Sequence, residues 1–313
     1  MQIYVSGSLA YDRIMDFDGR FSDHILPDKI HVLNVCFNVN GMQEKLGGTA
    51  GNIAYGLGQL GEKPVVLGCL GRDGARYLEW MGQHGIDASG VRSIEEEFTA
   101  GAYITTDKSD NQITGFNPGA MKHSCCFDVA ELNPADSLVI IAPGNYEDMT
   151  TLPAALRACG GTFIFDPGQA LNIFKGPALV EAMRGARLLI SNDYELEMIS
   201  RMTGLDVPGI LGLVGGIITT KGEAGGMLTE RGRSLAFPSV PAREVKDPTG
   251  AGDAFRSGLL KGMSQGLDLL EACLWGATIA SYAVACYGTQ EYLLDQGEFR
   301  ARLAAARASW PKG

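Results

Sequence analysis

Asp247-Pro248-Thr249-Gly250-Ala251-Gly252-Asp253-Ala254-Phe255 sets three small residues directly before an aspartate, at the point where a helical pattern begins. Backbone N–H groups at a helix start point at negative charge, and the lack of large side chains lets a phosphate come close. In this reading the N–H groups of Gly250, Ala251 and Gly252 form an anion hole, with Asp253 at its rim. A carboxylate there can take the proton from a substrate hydroxyl while the hole stabilises charge on a transferred phosphoryl group. That is the chemistry of a small-molecule kinase. An ordinary helix N-terminus has the same composition, so the surrounding elements must decide.

Those elements alternate. Short apolar runs at 3–5, 65–67, 138–141, 163–165, 188–190 and 217–219 lack strict polar alternation, which suits parallel strands buried on both faces. Helix-length segments such as 50–61, 151–159 and 177–185 lie between them, the layout of a parallel α/β sheet with helices on both faces. Small and polar residues follow each run: Ser6-Gly7-Ser8, Pro143-Gly144-Asn145, Asp166-Pro167-Gly168-Gln169, Ser191-Asn192-Asp193 and Thr220-Lys221-Gly222. Open α/β sheets bind ligands at strand C-terminal ends, so the active face is one edge of the sheet. Asp12 lies just past the first strand and can accept hydrogen bonds from two vicinal hydroxyls. Asn192 and Glu195 share one side of a helix start, as a capping box or as phosphate-side ligands. The Gly-rich turn at 220–226 can lie under a nucleotide's phosphates, with Lys221 reaching them, or be a plain hairpin turn.

The 313 residues read as one domain, 1–313. A net charge of −10 excludes nucleic-acid binding as the main task, which needs clustered Lys and Arg. Seven cysteines without framework spacing, including the vicinal Cys125-Cys126, read as reduced and mostly buried thiols of a cytoplasmic protein. The N-terminus runs straight into a strand pattern without a signal-peptide core. The longest uncharged stretch, 272–290, reads as a buried core helix ending near Gly288, not a membrane span. Gly56-Leu57-Gly58-Gln59-Leu60-Gly61 matches G-x-G-x-x-G, but it ends a helix and precedes a strand, the reverse of a dinucleotide fingerprint. Two segments break the βαβ rhythm. Residues 13–45 lack a helix-length pattern, although 32–39 has mixed polarity, and 99–116 alternate around the turn Asp107-Lys108-Ser109-Asp110-Asn111 as a hairpin.

The stretch at 247–255 resembles the C-terminal signature D-x-T-G-A-G-D-x-F of the ribokinase-like (PfkB) carbohydrate and nucleoside kinases. Gly47-Gly48-Thr49-Ala50-Gly51-Asn52, followed by Gly58, Gly61, Gly68, Gly71, Asp73 and Gly74, resembles the N-terminal signature of that family. The resemblance implies a three-layer α/β/α fold with a mainly parallel central sheet and a small β-sheet lid formed by about 13–45 and 99–118, with a homodimer through the lid. It implies ATP as phosphoryl donor, contacted by Asn192, Thr220, Lys221, Gly222 and Gly225. It implies Mg²⁺ reached by Glu195 through water, and an activating monovalent cation such as K⁺ at Asp247 and Thr249, closed by Gly288-Thr289. Gly7-Ser8-Leu9-Ala10-Tyr11-Asp12 matches the family's G-S-x-x-x-D, so Asp12, Gly48 and Asn52 would hold a sugar.

The acceptor is read from the lid and pocket. Thr49 and Ile53 stand where ribokinases carry Lys and Gln, and Phe116 on the lid can stack on a purine. Phe116-Asn117-Pro118-Gly119-Ala120-Met121, Thr105-Thr106-Asp107, Asn192-Asp193-Tyr194-Glu195 and Gly288-Thr289-Gln290-Glu291 resemble the bacterial adenosine kinases within the family. That resemblance implies transfer to the 5′-hydroxyl of adenosine, with Gln169 at the adenine edge and Cys36 and Ser8 lining the nucleoside pocket. Ala102 departs from it, standing where an aromatic could clamp the base's other face. A sugar kinase of the same family is the first alternative. A catalytically idle nucleoside-binding protein is the second, and the intact Asp253 argues against it.

Overall fold

The computed structural model describes residues 1–310. Its strands are β1 (Gln2–Ser6), β2 (Ala10–Phe17), β3 (Val39–Gly47), β4 (Val65–Gly71), β5 (Val91–Ile94), β6 (Ala100–Thr106), β7 (Gln112–Asn117), β8 (Ser137–Ile141), β9 (Thr162–Phe165), β10 (Leu188–Asn192), β11 (Ile217–Thr220), β12 (Gly226–Glu230) and β13 (Arg233–Phe237). The helices are α1 (Thr49–Gln59), α2 (Ala75–Gln83), α3 (Tyr146–Cys159), α4 (Gly176–Met183), α5 (Asp193–Thr203), α6 (Val207–Leu211), α7 (Ala251–Ser264), α8 (Leu269–Ala283) and α9 (Gln296–Ser309).

Nine strands form one sheet in the order β13-β12-β11-β10-β9-β8-β1-β4-β5. It is parallel from β11 to β5, with β12 and β13 added antiparallel. The apolar runs lie in these strands, and their period of two explains the three layers. Ile3, Val5, Leu138, Ile140, Leu188 and Ile190 face a core shared with Ile53 and Leu57 of α1 and Leu259 and Leu260 of α7. The residues between them, Val139, Ile141, Phe163, Phe165 and Leu189, face a second core with α3, α4 and α6. This is the three-layer α/β/α arrangement, with a mainly parallel central sheet, that the resemblance implied. Gly56 and Gly58 of the G-x-G-x-x-G stretch sit against Ser257 and the His84 carbonyl, so they serve close packing of α1.

A smaller sheet has the order β3-β2-β6-β7. β3 and β7 pair antiparallel to their neighbours, but β2 and β6 are parallel. Residues 32–38 form no strand; instead Phe37 packs on Phe17 and Phe21, with ring centroids 4.8 and 5.0 Å apart, and this pins the connection to β3. α8 ends at Ala283, short of the expected Gly288, because the Val284 carbonyl accepts from Lys246 N–H at 2.8 Å and ties the chain to the segment before α7. The cysteines also differ from expectation: Cys69, Cys125 and Cys273 are buried, but Cys36, Cys126 and Cys159 are exposed. Vicinal side chains point opposite ways, and Cys126 turns out at φ 55° while Cys125 turns in.

Asp107 fastens the β6–β7 turn to the first connection of the small sheet. Its Oδ1 accepts from Ser109 and Asn111 N–H at 2.8 and 2.9 Å, and its Oδ2 accepts from Phe21 N–H at 2.9 Å. Burial disfavours its charge, but the donors of Phe21, Asn111 and Ser109 outweigh burial and hold its carboxyl down to about 2. Asp107→Ala is expected to speed amide hydrogen exchange at Phe21, Ser109 and Asn111 by tenfold or more, leaving the nine-stranded sheet as protected as before; that magnitude is about the loss of one charge-assisted hydrogen bond. Unchanged exchange at Phe21 would refute the fastening role.

Candidate active site

The C-terminal ends of β1, β8, β9, β10 and β11 open into a cleft of about 780 Å³. α1 and α7 both start there, and the small sheet covers one side. Ser8, Asp12, Gly48, Asn52, Phe116, Gln169, Asn192, Glu195, Thr220, Thr249, Gly250, Gly252 and Asp253 all line it. Segments far apart in the chain thus meet at one sheet edge, as the small polar residues after each strand implied.

The α7 start is built around Gly250, which caps the helix at φ 79° and offers no side chain of its own. A Cβ there would lie 2.8 Å from Thr289 Cγ2 and in a backbone region unfavourable to other residues. A bare cap leaves first-turn N–H groups free to face the cleft. The expected three-donor hole needs one correction: the Ala251 N–H donates to the Pro248 carbonyl at 3.2 Å, because the chain makes a tight turn just before the helix. Asp253 is half-buried, and its Oδ2 accepts from Asn52 Nδ2 at 2.8 Å. Burial pushes its carboxyl up to about 6, against the lowering effects of Arg256 and of Asn52's hydrogen bond.

One turn beyond Asp253, Arg256 lines the same cleft, a residue the motif reading passed over. Its Nη2 donates to Asp166 Oδ1 at 2.7 Å and its Nε donates to Oδ2, a bidentate pair in which the two residues are 8% and 1% exposed. The remaining Nη1 would lie 2.8 Å from a Cβ built on Gly252, so the guanidinium sits against the start of α7. The signal was present as an arginine three residues after Asp253 and an aspartate at the end of an apolar run. Asn172 also lines the cleft without having been singled out, and Thr49, noted only as a departure from the ribokinase pattern, lines it too.

On the other side, the double glycine of the first motif has a steric cause. A Cβ on Gly47 would lie 2.6 Å from Asp12 Oδ2, and one on Gly48, at φ 88°, would lie 2.6 Å from the Ser8 carbonyl. Burial raises the Asp12 carboxyl above its usual range. The Ser8 hydroxyl accepts from Thr49 N–H at 3.0 Å, so it caps α1 as well as lining the cleft. Asn192 and Glu195 form a reciprocal capping box at 2.7 and 2.8 Å, and both line the cleft. Burial raises Glu195.

Several expected residues lie outside the cleft lining. Cys36 is exposed on the connection pinned by Phe37, away from the pocket. Only Thr220 of the Gly-rich turn lines the cleft, because that turn is a hairpin joining the antiparallel β11 and β12. Lys221 and Gly222 are exposed at its tip, and Gly225, at φ 79°, packs against the Phe237 carbonyl. Asp247 also stands behind the lining, where its Oδ1 accepts from Thr249 N–H at 2.9 Å.

The pattern of the pfkB family of carbohydrate kinases matches residues 12–296. The chain belongs to that family and is a kinase by membership. It is 35% identical over 266 residues to a nucleoside kinase of Methanocaldococcus jannaschii, covering 83% of this chain and 86% of that one. It is similar to the structure of Burkholderia thailandensis nucleoside kinase in complex with inosine, at TM-score 0.85, 38% identity and coverage of 99% and 100%. The structure of the Burkholderia enzyme in complex with ADP-inosine gives TM-score 0.83 and 39% identity, covering 99% and 98%.

Removing one partner of the Arg256–Asp166 pair leaves a buried charge uncompensated. Asp166→Ala is expected to destabilise the protein by about 3–5 kcal/mol, read from the denaturant midpoint, while Asp166→Leu combined with Arg256→Met recovers most of the loss. Equal losses in the single and double variants would show that the pair carries no mutual compensation.

Proposed function

We propose that this kinase transfers the γ-phosphoryl group of ATP to the 5′-hydroxyl of a purine nucleoside, adenosine first, giving AMP. The observation that carries the nucleoside reading is a row across the small sheet. Asp12, Ala102 and Phe116 are in register on β2, β6 and β7, and both Asp12 and Phe116 line the cleft. Two strand spacings separate the carboxylate from the ring by about 10 Å. That suits a ribose on Asp12 with its base under Phe116, whereas a free sugar spans about half of it. Phe116 is 54% exposed, an aromatic face awaiting a partner, and the small Ala102 beside it leaves room for a base. Gln169 and Asn172 supply amides that both donate and accept, as the edge of a purine requires. The likeness to nucleoside kinases, one of them in complex with inosine, supports the same acceptor class.

In this reading Asp253 is the base, and the free N–H groups at Gly250 and Gly252, with Arg256 beside them, stabilise the transferring group. Catalysis is positioning and charge stabilisation, as phosphoryl transfer requires. The lining carries four carboxylates, Asp12, Asp166, Glu195 and Asp253, against the single Arg256. An ATP tetra-anion cannot enter such a field alone, so the donor set fits a nucleotide carrying its own Mg²⁺. Glu195, which lines the cleft, is read as meeting the ion through water. Asp247, standing beside the turn that precedes α7, is read as a ligand of an activating monovalent cation such as K⁺. Residues 13–45 and 99–118 act as a lid. Their exposed Leu26, Ile30, Val32, Leu33, Met42 and Ile113 are read as the contact of a homodimer.

ATP consumption against adenosine, inosine, guanosine, cytidine, ribose and fructose tests the acceptor. Turnover of adenosine should exceed that of every sugar, and Phe116→Ala should raise KM for adenosine about tenfold, the worth of one stacked ring. Turnover of a sugar alone would overturn the nucleoside reading. Asp253→Asn should lower kcat by about 10²–10⁴. Because the ionised carboxylate is the active form and its pKa is about 6, kcat/KM should fall as pH drops through about 6. Sedimentation as a monomer at micromolar concentration would exclude the lid-mediated dimer.

A further inference from the structure

Behind Asp253 lies a chain of buried polar groups of which the site reading uses only Asn52. Trp80 of α2, Gln290 after α8 and Asn52 of α1 lead in single steps to the carboxylate. Trp80 Nε1 donates to Gln290 Oε1 at 3.1 Å, Gln290 Nε2 donates to Asn52 Oδ1 at 3.0 Å, and Asn52 Nδ2 donates to Asp253 Oδ2 at 2.8 Å. Gln290 Nε2 also donates to Tyr77 Oη at 2.9 Å, and Tyr77 donates its own proton to the Gly47 carbonyl at 2.7 Å. Gln290, Asn52 and Tyr77 are 3%, 6% and 1% exposed, so water does not substitute for these partners.

The donors allow only one direction. An indole N–H can only donate, so the Gln290 atom facing Trp80 is its oxygen. Its amide nitrogen then faces Tyr77 and Asn52. Tyr77 has committed its proton to Gly47 and can only accept. Asn52 must therefore turn its oxygen to Gln290 and its NH₂ to Asp253. Turned the other way, Asn52 would set a carbonyl oxygen against a carboxylate, with no donor to hold it there. Gly51 is part of the same construction: a Cβ on it would run into Tyr77 Oη, so the small residue beside Asn52 keeps the chain closed.

We propose that Trp80, Tyr77 and Gln290 are positioning residues that lock the amide of Asn52, so that it always donates to Asp253 and holds the carboxylate ionised and aimed into the cleft. The proposal rests on the reading of Asp253 as the base. A hydrogen bond to the charged form of an acid favours that form. Without the lock, Asn52 rotates freely, the donation is lost part of the time, and the base takes up a proton at higher pH. The other charged and titratable groups around Asp253 are Arg256 on its own helix, Asp166 after β9, Glu195 on α5, Asp12 on β2, Tyr77 on α2 and Tyr292 beyond α8. Both tyrosines are raised by burial and stay neutral throughout the working range.

The test is the pH dependence of kcat/KM for adenosine, or for the best acceptor of the panel, with the full chain and saturating MgATP. Wild type, Gln290→Met, Trp80→Phe and Asp253→Asn are compared. Gln290→Met keeps the volume and removes the director, and Trp80→Phe keeps the ring and frees the Gln290 amide to flip. Both are expected to move the acidic limb upward by about half to one pH unit, with the alkaline plateau within about threefold of wild type. An acidic limb at the wild-type position in both variants, whatever their plateau rate, overturns the lock and leaves a merely structural contact. Should Gln290→Met fail to fold, Trp80→Phe decides alone. If Asp253→Asn keeps activity within a few-fold of wild type, the base reading itself fails, and the lock falls with it. If that variant is inactive and the limbs do not move, the base stands and only the lock is wrong.

Discussion

One hydrogen bond organises this molecule. Asn52 and Asp253 are 201 residues apart and join at 2.8 Å, where the first turns of α1 and α7 converge on the same point of the sheet edge. Two helix starts cannot approach so closely unless their flanks are thin. Gly56 of α1 rests on Ser257 of α7, and Gly258 of α7 rests on the backbone of Trp275 and Gly276 in α8. Substituting either glycine would wedge the helices apart and separate the amide from the carboxylate. The glycine-rich character of both motifs is therefore as much a packing requirement as a phosphate-binding one.

The same convergence creates an electrostatic problem that the sheet solves. Asp253, Asp166 and Glu195 crowd one cleft, and burial works against the charge of Asp253 and Glu195. Arg256 is spent mainly on Asp166, through two of its three nitrogens, so it neutralises the deepest carboxylate and leaves one nitrogen beside Gly252. Burial of Asp253 is then opposed by the charge of Arg256 and by Asn52's donation, which together do not cancel it, and its basicity rises toward the neutral range. A carboxylate at its ordinary value is a poor base for an alcohol, whereas one near 6 is both ionised at neutral pH and a better acceptor.

The frame was legible because buried parallel strands announce themselves as short apolar runs, and the six runs all fell in the large sheet. The edge that lines the cleft was legible because Gly250, Gly252 and Asp253 form one local string, as do Asn192 and Glu195. What escaped was of two kinds. Arg256 lies outside the string that carries the pattern, and its meaning depends on Asp166, 90 residues away. Cys36 and Lys221 were chosen from loops, where sequence distance says little about spatial placement. Cys36 is exposed and outside the cleft lining, while Phe37, its neighbour, takes the inward position against Phe17. Lys221 sits at a hairpin tip because β12 turns back antiparallel, and nothing in 217–226 distinguishes that turn from a phosphate loop. Gln290 was quoted as a motif letter, but its partners Trp80 and Asn52 come from two other helices, a relation that no local pattern encodes.

The two sheets divide the work along physical lines. The large sheet fixes the reacting groups to about the tolerance of a hydrogen bond, because α1 and α7 are packed on both sides and their first turns have little freedom. The small sheet carries Asp12 and Phe116 on adjacent ladders whose outer faces are open, with Phe116 54% exposed. Stacking and ribose hydrogen bonds tolerate small displacements that in-line phosphoryl transfer does not. On the proposed nucleoside reading, a change of acceptor requires a new row across β2, β6 and β7, and Ala102, lying between the carboxylate and the ring, is the position in that row where a larger side chain would close the space a base needs.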